Sequence, residues 1–71
     1  MDLAVGQRWH SNKLGYTRVI THLDSLRVRF ILLVTGQEER PARFDVLRAR
    51  FERSLGDQQF RLEKREEAVS K

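Results

Sequence analysis

Apolar and other residues alternate without a slip over residues 26–34. Leu26, Val28, Phe30, Leu32 and Val34 fall on one face, and Arg27, Arg29, Ile31 and Leu33 on the other. A period of two predicts a strand with one buried face. The preceding run, residues 16–23, is rich in β-formers: Tyr16, Thr17, Val19, Ile20 and Thr21. Asp24-Ser25 separates the two runs and predicts the loop of a hairpin. With a two-residue loop, Leu23 faces Leu26, Thr21 faces Val28 and Val19 faces Phe30, so the apolar faces coincide. The opposite face then presents Tyr16, Arg18, Ile20 and His22 beside Arg27, Arg29, Ile31 and Leu33.

The flanking segments extend the sheet. Residues 1–5 read as a lead-in, and residues 6–10 as a first strand with Trp9 as its buried anchor. Asn12-Lys13-Leu14-Gly15 and Thr35-Gly36 carry turn residues. Residues 37–43 read as a third hairpin strand at the sheet edge, because Pro41 has no N–H to give a ladder. Ala42 and Phe44 point inward if the preceding loop has three residues; a two-residue loop reverses them, and the register stays open. Phe44, Leu47, Phe51 and Leu55 recur at helical spacing, with Asp45 as N-cap and Gly56 as stop, predicting a helix near 45–55. Phe60 and Leu62 alternate within 58–63, which fits a short last strand; a terminal helix from Asp57 is the competing reading. Residues 64–71 lack an apolar pattern beyond Ala68-Val69 and read as a flexible tail. The expected fold is mainly β: a small SH3-like or Tudor-like bent antiparallel sheet or barrel over 6–63, with one short helix.

Charge adds a candidate surface. The 71 residues carry a net charge of +4, and eleven of the fourteen basic residues are arginine, whose planar fork suits carboxylates, phosphates and aromatic faces. Residues 8–53 hold ten basic and five acidic residues, so the positive field belongs to the expected fold. Tyr16, Arg18, His22, Arg27 and Arg29 form one candidate binding patch, and Arg48, Arg50 and Arg53 on the helix a second. Arg48 and Glu52 are also spaced for a surface helix pair.

The chemistry excluded is equally informative. There is no cysteine and there are only two histidines, His10 and His22, on different strands without ligand spacing, so neither a metal site nor a disulfide is expected. No glycine-rich phosphate loop is present. Ser11 follows His10, but strand neighbours point to opposite faces and make no dyad. Glu38-Glu39 is the lone carboxylate pair of the folded region and reads as a solvated turn. The longest apolar run, residues 30–34, is far short of the ~20 residues that span a bilayer. No enzyme activity, cofactor, small-molecule substrate or membrane is expected, and the absence of cysteine suits the cytoplasm.

Gly6-Gln7-Arg8-Trp9, Leu14-Gly15, Arg27-Val28-Arg29-Phe30, Thr35-Gly36-Gln37 and Pro41-Ala42-Arg43 together carry a resemblance. Over roughly residues 6–51 the chain resembles the Tudor-like N-terminal module of the bacterial RNA-polymerase-associated Swi2/Snf2 ATPase, without that family's motor. The resemblance implies a small barrel that contacts RNA polymerase or its nucleic acids. A barrel of this size also looks like a small phage-encoded regulator. The favoured expectation is a monomeric module that docks on bacterial RNA polymerase and regulates transcription. The alternatives are a phosphate-tracking nucleic-acid binder and an inhibitor of another host complex.

Overall fold

The computed structural model describes residues 3–34, 36, 39 and 41–63. Its elements are β1 (Arg8–Ser11), β2 (Tyr16–Leu23), β3 (Arg27–Val34), β4 (Ala42–Leu47), α1 (Arg48–Asp57) and β5 (Arg61–Leu62). The strands form one antiparallel sheet in the order β4-β3-β2-β1-β5. The consecutive strands β1 to β4 pair in turn, β1 with β2, β2 with β3 and β3 with β4, and β5 returns to β1. The helix packs on β3 and β4. Among the described residues the architecture is mainly β with a single short helix, as expected, and is consistent with SH3-like and Tudor-like folds. The expected tail, residues 64–71, and positions 37, 38 and 40 of the expected strand at 37–43 lie outside the described residues; within that span Glu39 lies in a turn and the strand starts only at Ala42, running on to Leu47.

Local chemistry explains the first reversal. Asn12 to Gly15 form the predicted turn, closed by Gly15 N–H donating to Ser11 O at 2.8 Å. Gly15 sits at φ +79°, a conformation that costs glycine least.

The β2–β3 hairpin departs from the expected register. Ile20 pairs with Phe30, Arg18 with Leu32 and Tyr16 with Val34. Beyond a bulge between Ile20 and His22, Leu23 pairs with Val28 and His22 with Arg29. The loop is therefore longer than Asp24-Ser25, and Asp24 accounts for it. Its Oδ1 accepts the N–H groups of Leu26 (2.8 Å) and Arg27 (2.7 Å), while its own N–H donates to Arg27 O (3.1 Å). Leu26 is thereby held out at 72% exposure instead of joining the core.

A one-residue slip exchanges the two faces of a strand. Tyr16, Arg18 and Ile20 consequently lie on the core face with Val28 and Phe30, not outside as expected. Val19, expected inside, pairs with Ile31 on the outer face. His22, Arg27 and Arg29 keep their outward placement. On β4, Ala42, Phe44 and Val46 face the core opposite Leu32, Phe30 and Val28. The core cluster is Leu3, Trp9, Ile20, Val28, Phe30, Phe51, Leu55 and Phe60. Trp9 is the expected anchor, whereas Leu3, expected as lead-in, is core.

The helix also shifts. Phe44, Asp45 and Leu47 belong to β4, and α1 starts at Arg48. Pairing with β3 gives their backbones ladder partners that a short isolated helical turn would lack. Asp45 is no N-cap: Leu47 holds that position with no side-chain hydrogen bond. Arg48 N–H donates instead to Leu26 O at 2.7 Å, so the hairpin loop caps the helix. The helix runs through Gly56 and stops two residues later than expected. Gln59 adopts a left-handed φ of +59°, its N–H donates to Gly56 O (3.2 Å), and Phe60 N–H donates to Leu55 O (2.8 Å). This reversal sends Phe60 back into the core beside Leu55, as left-handed helix caps do. It also rules out the terminal helix from Asp57. Ser11, fully buried, donates its hydroxyl to Gln58 O at 2.8 Å and ties the helix end to β1.

Candidate functional site

The eight residues expected to form binding patches separate into groups. His22, Arg27 and Arg29 lie together on the outer face at the hairpin end. Arg29 Nε reaches Asp45 Oδ2 at 3.3 Å and Arg27 Nη1 reaches Asp45 Oδ1 at 3.5 Å. His22 Nε2 lies 3.4 Å from Asp24 Oδ2. The N–H groups of Arg27 and Leu26, with His22 nearby, hold the Asp24 carboxyl below the ordinary aspartate range. All these side chains are exposed, so each pair adds little stability by itself.

Arg43, which no candidate patch included, extends this group. It sits opposite Ile31 on the outer face and has no ion-pair partner among the described residues. An open cleft of about 730 Å³ runs over His22, Arg29, Ile31, Arg43 and Asp45. Next to it, half-buried Val19, Ile31 and Leu33 give the outer face an apolar centre.

Tyr16 and Arg18 lie on the other side. The Arg18 guanidinium carbon sits 4.3 Å from the ring centre of Phe60, 5.1 Å from Phe30, 5.4 Å from Phe51 and 6.0 Å from Tyr16. Its Nη1 donates to Ser54 Oγ at 2.6 Å, and Ser54 donates onward to Phe51 O at 2.8 Å. Its Nε is buried without an acceptor. Four ring faces thus surround a cation that was expected in solvent. No sequence signal marks this cage, because it follows from the register and from the cap that returns Phe60.

The helix patch divides as well. Arg48 pairs with Glu52 at 3.0 Å, as expected, and donates to Asp24 O at 3.1 Å, which pins α1 to the hairpin loop. Arg50 and Arg53, three residues apart, share an exposed flank of the helix with no ion-pair partner among the described residues.

Other chemistry stays apart. His10 hydrogen-bonds Thr17 Oγ1 (2.8 Å) and Asn12 Oδ1 (3.1 Å), while Ser11 faces the core. Among the described residues, no three metal-binding side chains gather, and no helix is long and apolar enough to cross a membrane. Compared with known protein families, curated proteins and solved structures, the chain matches none.

Proposed function

We propose that the chain is a non-enzymatic docking module whose outer sheet face binds an acidic surface of bacterial RNA polymerase and so regulates transcription. The observation that carries the docking part is the make-up of that face. An apolar centre of Val19, Ile31 and Leu33 is bordered by His22, Arg27, Arg29 and Arg43. An apolar centre with an arginine-rich border is the composition of protein interfaces. A partner needs only about 800 Å² of such surface. The choice of polymerase rests on the resemblance carried by Gly6-Gln7-Arg8-Trp9 and the turn residues that follow.

The aromatics support a protein partner over a nucleic acid. Single-strand binders stack bases on exposed rings. Here Trp9 is buried, and Tyr16 faces inward with its ring 5.8 Å from that of Phe60. Arg27 and Arg29 already share Asp45, which lowers the positive field that a phosphate backbone would meet there.

The test is capture of nuclease-treated core polymerase by the tagged protein, followed by promoter-dependent transcription. Replacing both Arg27 and Arg29 by Gln should weaken capture about tenfold or more while the circular dichroism stays unchanged. Gln is preferred to Glu because Asp45 lies beside both positions. Failure to retain polymerase, or unchanged capture by the double variant, overturns the reading. Capture that vanishes with nuclease, with a salt slope of about three, would identify a nucleic-acid module instead.

A further inference from the structure

Four of the arginines already described answer a carboxylate: Arg8 with Glu63, Arg27 and Arg29 with Asp45, and Arg48 with Glu52. Arg18 and Arg50 have none among the described residues, yet both line one cavity. It opens between α1, β3 and β4, holds about 200 Å³, and is walled by Phe30, Val46 and Phe51 with Ser54 beside Arg18. A cation withdrawn from water without a counter-ion is costly. Ring faces and one hydroxyl offset part of that cost for Arg18. Its Nε still has no acceptor. Two positive charges thus border one apolar cavity.

From this we infer that the seam between α1 and the sheet is a slot for one acidic side chain of a peptide, with Arg18 at its inner end and Arg50 at its rim. The size selects the ligand. Pockets for small molecules hold roughly 300–1,000 Å³. A cavity of about 200 Å³ takes a single side chain rather than a nucleotide. The walls select it further. Phe30, Val46 and Phe51 suit the aliphatic stem of a glutamate. With Nε sealed, the donors left to a carboxylate are the terminal Nη1, shared with Ser54 Oγ, and Nη2. The slot lies on the core side of the sheet, away from the outer face, and does not depend on the polymerase reading.

The experiment is a nuclear magnetic resonance titration of the ¹⁵N-labelled protein at low salt. The probe is acetyl-Ala-Glu-Ala-amide, with acetyl-Ala-Gln-Ala-amide as its neutral counterpart. The signals followed are the Arg18 Nε–H and the Arg50 and Ser54 amides. The glutamate peptide should move these signals saturably and the glutamine peptide should leave them in place. Arg50→Gln, at an exposed position, should weaken the response about fivefold. Arg18→Met, a neutral chain of similar reach, should abolish it. Absence of a saturable shift overturns the slot, as does an equal response to both peptides or an unchanged response in Arg50→Gln. Stronger binding of inorganic phosphate at the same signals also overturns it. Should Arg18→Met fail to fold, the Arg50→Gln titration decides alone.

Discussion

Arg18 on β2 and Arg29 on β3 occupy neighbouring strands and meet opposite surroundings. Arg29 stands in solvent, 63% exposed, and leans on Asp45 at 3.3 Å. Arg18 lies among four aromatic rings, with one hydroxyl acceptor and a sealed Nε. Residue type does not separate them. Backbone register does: the pairing of Ile20 with Phe30 turns the even-numbered residues Tyr16, Arg18 and Ile20 inward, while Arg29 on β3 turns outward. A guanidinium tolerates either setting, because its flat faces accept rings and its edge accepts carboxylates. One residue type is therefore packed among rings on one side of the sheet and stands in solvent on the other.

The largest loss of stability is expected where the cage loses a wall. Phe30 contacts Arg18 and stacks near both Phe44 (5.3 Å) and Phe51 (5.2 Å). Phe30→Ala should cost about 3–5 kcal/mol in urea denaturation, a large share of a small domain's stability. A variant that unfolds like the parent would show that the rings do not hold the structure. The two arginines themselves give a sharper contrast. Arg18→Ala should cost about 2–4 kcal/mol, since it empties space between four rings. Arg29→Ala should cost less than about 0.5 kcal/mol, as exposed pairs contribute little. Equal losses at the two positions would contradict the register.

The smallest effect concerns the loop that sets that register. The folded state depresses the Asp24 pKa through the N–H groups of Arg27 and Leu26. Its contribution is therefore present above the unfolded value of about 3.9 and is lost as pH falls through the lower folded value. Followed by the amide signals of Leu26 and Arg27, Asp24 should titrate with a midpoint below about 3.9. These acid-induced shifts should disappear in Asp24→Asn. A midpoint at or above that value would remove Asp24 from its role in the loop.

What the sequence made legible follows from the same physics. The strands around Val28 and Phe30 announce themselves by period-two alternation, and Trp9 and the Asn12–Gly15 turn by residue chemistry. The outward placement of Arg27 and Arg29 survives because it depends only on alternation within β3. The placement of Tyr16 and Arg18 depended on loop length. Thr17, Val19 and Thr21 compete with Tyr16, Arg18 and Ile20 for the core, and both sets have strand-forming members. The side-chain bonds of Asp24 to two backbone N–H groups decide between them, a loop habit of aspartate that sequence alone leaves open. Helical spacing misled at Phe44 and Leu47 because a strand followed directly by a helix can imitate one longer helix, and Leu47 supplies no capping signal.

The return of β5 to β1 has a consequence for the order in which the molecule can be completed. Arg8 and Glu63, joined at 3.1 Å, stand 55 positions apart. Pairing across such a separation is the slow part of forming a sheet. Phe60, the ring closest to Arg18, arrives on the same late segment. A chain that stops before Phe60 can build the β2–β3 hairpin but leaves Arg18 against an open apolar wall and β1 with a bare edge. Truncated products would carry both defects, and bare strand edges recruit other chains. The aromatic cage of Arg18 and the outer edge of β1 are therefore completed in one event, the docking of the segment that carries Phe60 and β5.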